Sequence, residues 1–173
     1  MSLHQSTLTK SQQVILYVGV LITNLLGGLF FLRGDFAYCS YDTMTRFFGF
    51  NPYGWIGINY AIEFAGQQAL DWGNPILLIF FSFSGVFFYN ICISLIGLIK
   101  PEHASLKKAI LIGMILATIT AIISFVIGIS VLKEVLSLSN RYSNLKWAFG
   151  SAFWGGLLGG GLTALFFFII LKK

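Results

Sequence analysis

The side chains best suited to chemistry gather in one stretch. Asp35, Asp42, Glu63 and Asp71, four of the six acidic residues, fall between Arg33 and Pro75 together with Cys39, Tyr41 and Arg46. Converging, they could hold a cation or a polar ligand. A hard cation needs several oxygens at once, and no D-x-[DN]-x-[DN]-G loop is present to supply them. Solvated charges and local ion pairs are the plainer account of such a set. Cys39 has no histidine nearby in sequence to activate it as a nucleophile. The two histidines, His4 and His103, lie outside the long apolar runs, so a bis-histidine haem within a helical bundle is not expected. The two cysteines, Cys39 and Cys92, form no C-x-x-C pair, which argues against a dithiol redox centre. H-E-x-x-H, Walker and G-x-S-x-G motifs are also missing. No catalytic residue or metal ligand is assigned, no cofactor can be named, and an enzyme is the last expectation.

A second set of polar residues sits inside apolar runs. Asn24, Asn90 and Thr118 are the candidates for lining a polar path, accompanied by Cys92, Ser94, Thr120 and Ser124. No Lys, Arg, Asp or Glu occurs within these runs, whereas proton relays and ion-coupled transporters usually carry such charges. An amide in lipid wants a partner on a neighbouring helix, and a hydroxyl can bond the carbonyl one turn back. Interhelical and intrahelical bonds therefore compete with a solute path as explanations.

The third pattern is steric. Ser151, Gly155, Gly159 and Thr163 recur every four residues, and Ala152, Gly156, Gly160 and Ala164 repeat the series one position along. Four helical residues advance about 400°, so each series forms a slowly winding ridge. Two adjacent ridges make a broad face almost free of side chains. Hydrocarbon gives helices no hydrophobic reason to associate, so close packing through small residues must hold them. This face is a packing surface, either for the chain's own helices or for a partner subunit.

The elements that position these residues follow from hydropathy. With 57% hydrophobic and 10% charged residues, and a mean hydropathy of +0.83, the chain cannot be a single soluble core; soluble domains carry about 25% charged residues. Four runs, 14–32, 76–99, 109–132 and 147–171, have the length a bilayer requires. The first is too long for a cleavable signal peptide and lacks an A-x-A-like site, so it is read as a retained helix. The fold expected is all-α: one polytopic membrane domain over residues 1–173, a four-helix bundle with a long structured outer loop, 33–75. In that loop Glu63, Gln67, Gln68 and Asp71 oppose Ile62, Ala65, Ala69 and Trp72 at helical spacing. This predicts an interfacial helix over 56–72, with re-entrant and spanning segments as alternatives.

Charge gives an orientation. Lys10, Lys100, Lys107, Lys108, Lys172 and Lys173 fall on the side of the termini, against Arg33, Arg46, Lys133, Arg141 and Lys146 opposite. The positive-inside rule then favours termini in the cytoplasm, or in a matrix or stroma. The net charge of +5 comes without a basic stripe interleaved with aromatics, so nucleic acid is not an expected partner.

Four spans, a long first outer loop and a short basic inner turn resemble the layout of the claudin and peripheral-myelin-protein group. That group's W-then-G-L-W signature, followed by two cysteines, is met here only by Tyr53-Gly54-Trp55-Ile56-Gly57, with Cys39 upstream. The resemblance is one of layout, and it implies surface adhesion or a barrier role. Three functions are carried forward. The first is a non-catalytic membrane subunit that packs through its glycine face into a larger complex, with lipids and other subunits or itself as partners. The second is a small-solute channel or transporter acting as an oligomer. The third is a claudin-like adhesion or barrier protein.

Overall fold

A computed structural model describes residues 8–34, 36–42, 45–51, 54–57, 75–101, 104–139 and 146–172. Its frame is four helices, each long and apolar enough to cross a membrane. They are α1 (Lys10–Arg33), α2 (Pro75–Ile99), α3 (Ala104–Ser139) and α4 (Ser151–Leu171). Each helix packs against its neighbours in sequence, and α4 closes the ring against α1. The short link between α2 and α3 makes that pair antiparallel.

Local chemistry sets the boundaries. Thr9 caps α1 with a capping box: its hydroxyl accepts from the Gln12 amide at 3.3 Å, and the Gln12 side chain accepts from the Thr9 amide at 2.8 Å. Pro75 opens α2, where a missing N–H costs little. The helix α3 runs to Ser139, past the expected end at Leu132. Apolar character stops at Lys133, but 133–139 contains no Gly or Pro, so the helical bonding continues beyond the bilayer. At 36 residues the helix is about 54 Å long, against a hydrocarbon core of about 30 Å.

An all-α fold does not account for the outer segments. Strands β1 (Ala37–Asp42), β2 (Thr45–Asn51), β3 (Gly54–Gly57) and β4 (Lys146–Phe149) form an antiparallel sheet in the order β3-β2-β1-β4. Their sequences are rich in Tyr, Phe and Trp, residues that suit a pleated, half-buried surface. The first three strands follow one another with only two residues between each pair, and the β1–β2 pairing carries register shifts between Cys39 and Asp42. The fourth comes from the second outer segment: Ala37 pairs with Phe149, Tyr38 with Ala148 and Cys39 with Trp147. The Gly150 amide extends this pairing to the Phe36 carbonyl at 3.1 Å.

The last span therefore starts at Ser151 rather than Trp147. Trp147, Ala148 and Phe149 are apolar enough to prolong a hydrophobic run, yet all three are paired with β1 as a strand. The remaining 21 residues still match the bilayer core, at about 31 Å. Of the expected interfacial helix over 56–72, Ile56 and Gly57 close β3, and 58–72 lies outside the described residues.

Two buried apolar clusters fill the bundle. One, nearer the sheet, gathers Phe31, Phe36, Phe83, Phe87 and Phe153. Phe31 lies 5.1 Å from Phe83 and 5.8 Å from Phe36, centroid to centroid. The other, toward the opposite end, gathers Tyr17, Val20, Ile93, Ile110 and Phe167. Large apolar side chains on the outer surface of all four helices, such as Ile22, Phe88, Ile122 and Leu158, are exposed, as a lipid-facing surface requires.

Candidate functional site

Between the two clusters runs a buried polar seam. Asn24 of α1, Asn90 of α2 and Thr163 of α4 are all at most 1% exposed. The Asn24 amide nitrogen donates to the Val20 carbonyl and to the Thr163 hydroxyl, each at 2.7 Å. A carbonyl can only accept, so this fixes the Asn24 amide and turns its oxygen toward Asn90. Asn90 donates to that oxygen at 3.3 Å. Thr163 lies 3.1 Å from the Thr23 hydroxyl, which in turn sits 3.0 Å from the Gly19 and Val20 carbonyls. Having accepted from Asn24, Thr163 can pass its proton to Thr23, and Thr23 its own to a carbonyl. The seam thus ties α1, α2 and α4 through donors running in one direction. Among the described residues Asn90 Oδ1 has no hydrogen-bond partner, and it faces Gly113 of α3, where an added methyl would meet it at 2.7 Å.

Of the three candidate path residues, Asn24 and Asn90 are brought together and Thr118 is not. Thr118 is exposed on α3 and donates to its own Met114 carbonyl at 2.9 Å. Thr120 does the same toward Leu116, although its side chain is buried. Thr23 and Thr163 complete the seam without having been singled out as polar partners. Their signal was faint: Thr23 precedes Asn24, and Thr163 ends a glycine ridge. Which hydroxyl meets which amide is decided by helix placement, not by spacing along the chain.

The two small-residue ridges of α4 face different neighbours. A methyl added at Gly155 would lie 2.6 Å from the Gly27 carbonyl oxygen of α1, and one at Gly159 would lie 3.0 Å from the Gly27 Cα. Ser151 lies against Gly34, at the head of the same ridge. On the other ridge, a methyl at Gly160 would lie 2.6 Å from the Ala117 carbonyl oxygen of α3, and one at Gly156 would run into Ser124. Ala152 is fully buried, and Ala164 is half-buried. Backbone-to-backbone approach this close leaves no room for Cβ atoms. Gly161, between the ridges and the lipid, has open space where a Cβ would go.

The outer carboxylates are less informative. Tyr41 and Asp42 belong to β1 and Arg46 to β2, while Asp35, Glu63 and Asp71 lie outside the described residues. Among the described residues, no three of His, Cys, Asp and Glu come together to hold a metal ion. Cys92 is a half-buried free thiol on α2.

Fold and site together define a class: a multi-pass helical membrane protein with a polar seam inside the bundle and a small antiparallel sheet at one end. Comparison with protein-family models, with curated proteins and with solved structures gives no match to the chain.

Proposed function

We propose that the chain is a non-catalytic integral membrane subunit that works by assembling with other membrane proteins, and that its sheet is the contacting part. One observation carries this: β1 of the first outer segment pairs with β4 of the second, so both segments form one surface. The glycine ridges are less suited to a partner, because α1 and α3 of the same chain already lie on them. The bundle interior offers little to a solute, since Asn24 and Asn90 are enclosed between clusters of large apolar side chains.

The termini are assigned to the cytoplasmic side, or to a matrix or stroma, on the bias of basic residues. Purification from native membrane in mild detergent tests the proposal. A stable multi-subunit or homo-oligomeric complex is expected, lost when Tyr38 and Ala148 are replaced to disrupt the β1–β4 pairing. A lone, monodisperse chain would overturn it.

A claudin-like adhesion or barrier role is the second proposal. The same sheet favours it, since both outer segments contribute to a single surface carried on four spans. Clustering of two vesicle populations that each carry the full chain would separate it from assembly within one membrane.

A further inference from the structure

We propose that the end of the bundle bearing the termini is a binding surface for anionic phospholipid headgroups. The proposal rests on the four spanning helices and not on assembly with other subunits. Lys10 opens α1, Lys100 follows α2, Lys107 and Lys108 lie in the opening turns of α3, and Lys172 caps the end of α4. Every helix of the ring therefore brings at least one lysine to the same end, and all five are exposed.

Each lysine also borders the lipid-facing surface. Val14 and Ile15 follow Lys10 by about a turn, Ile96 and Ile99 precede Lys100, and Leu111 and Ile112 follow Lys107 and Lys108. Phe168 and Ile169 precede Lys172, and all eight apolar residues are exposed. Lys172 Nζ lies over the Phe168 ring, 5.9 Å from its centre. Ammonium groups at this boundary sit at the depth of the headgroup phosphates, where long lysine stems reach the interface.

The balance of charge singles out this end. Segments 1–13, 100–108 and 172–173 contain six basic residues and one acid, Glu102. The remaining five basic and five acidic residues fall in segments 33–75 and 133–146 of the sequence and cancel, so segments 1–13, 100–108 and 172–173 account for the whole net charge of +5. Lysines near a membrane surface attract anionic lipid enough to change its association about fivefold for each one engaged. A ring of them around the bundle selects anionic lipid for the surrounding shell of one leaflet.

The test uses the full chain reconstituted in phosphatidylcholine vesicles, with spin-labelled phosphatidylglycerol or phosphatidylcholine reporting relative association with the protein by electron spin resonance. Phosphatidylglycerol should associate about fivefold more strongly, and the preference should fade as salt rises from about 0.05 to about 0.5 M. Replacing the five lysines by Gln should bring the ratio close to one, and replacing them by Arg should preserve it. Arg33→Gln with Lys133→Gln, toward the sheet, should leave it unchanged. Equal association of the two lipids with the unmodified chain would overturn the proposal. So would a salt-independent preference, or one lost with the sheet-end pair. Loss of the preference on adding soluble glycerol phosphate would point to a discrete anion site and overturn it as well.

Discussion

Gly155 and Gly161 lie on the same helix, yet a methyl group added to each meets opposite surroundings. At position 155 it meets the Gly27 carbonyl and the Phe31 amide, and at position 161 it meets nothing within 4 Å. Gly155→Ala should lower stability by about 1–3 kcal/mol through overpacking. Gly161→Ala should leave stability unchanged or raise it by up to about 1 kcal/mol through helix propensity. Unfolding of the detergent-solubilised chain by increasing dodecyl sulfate would compare them, and equal losses would contradict close contact at Gly155. The seam makes a second pair. Asn24→Ala removes the acceptor of Asn90 and a donor to Thr163, for a loss of about 1–2 kcal/mol, whereas Thr118→Ala removes only an exposed bond within its own helix. The same unfolding assay should show Thr118→Ala within about 0.5 kcal/mol of the parent chain. The four-residue repeat of Gly and Ala was legible in the sequence because helical geometry is local. That one ridge meets α1 and the other α3 was not, because it depends on which helices become neighbours.

At the scale of elements, hydropathy exposed the four spanning helices but hid the sheet. A bilayer imposes a length and a composition on any helix that crosses it, so spans announce themselves residue by residue. Strand β4 has only four residues, and Trp147, Ala148 and Phe149 read as the start of the next span. Its pairing partner lies before the second helix, beyond the reach of any local pattern. Helix α3 runs past both ends of its apolar run for a related reason, since polarity and helix termination are separate properties. The β1–β4 register gives a direct test. In a chain with Cys39 and Cys92 replaced by Ser, Tyr38→Cys with Ala148→Cys should cross-link under mild oxidation, because these residues are paired across the strands. Tyr38→Cys with Trp147→Cys, one residue out of register and on the other face of the sheet, should cross-link far less. Mobility on a non-reducing gel reads both, and equal cross-linking would dismiss the register.

For the whole molecule, an even number of spans puts the two termini on one side and the sheet on the other. In the same cysteine-free background, Ser105→Cys at the start of α3 and Trp147→Cys in β4 mark the two sides, and both parent residues are exposed. An impermeant thiol reagent applied to sealed vesicles of uniform orientation should label one of them and spare the other until the membrane is opened. Labelling of both from the same side would rule out four crossings. The sequence adds a charge asymmetry: segments 33–75 and 133–146 balance five basic against five acidic residues, and segments 1–13, 100–108 and 172–173 carry the whole net charge of +5.

The order of strands in the sheet also carries a timetable. The first three are available once residue 57 has emerged from the ribosome, and they can pair as successive hairpins. The first of them, β1, however, lies at the rim of that early set and keeps one edge open, because its second neighbour lies just before the final span. For the time needed to make some ninety further residues, at about 5–20 residues per second, a row of unpaired backbone groups faces outward. The final strand covers that edge only when the last helix is ready to enter the ring. A chain halted before residue 146 would thus keep the outer edge of β1 unpaired.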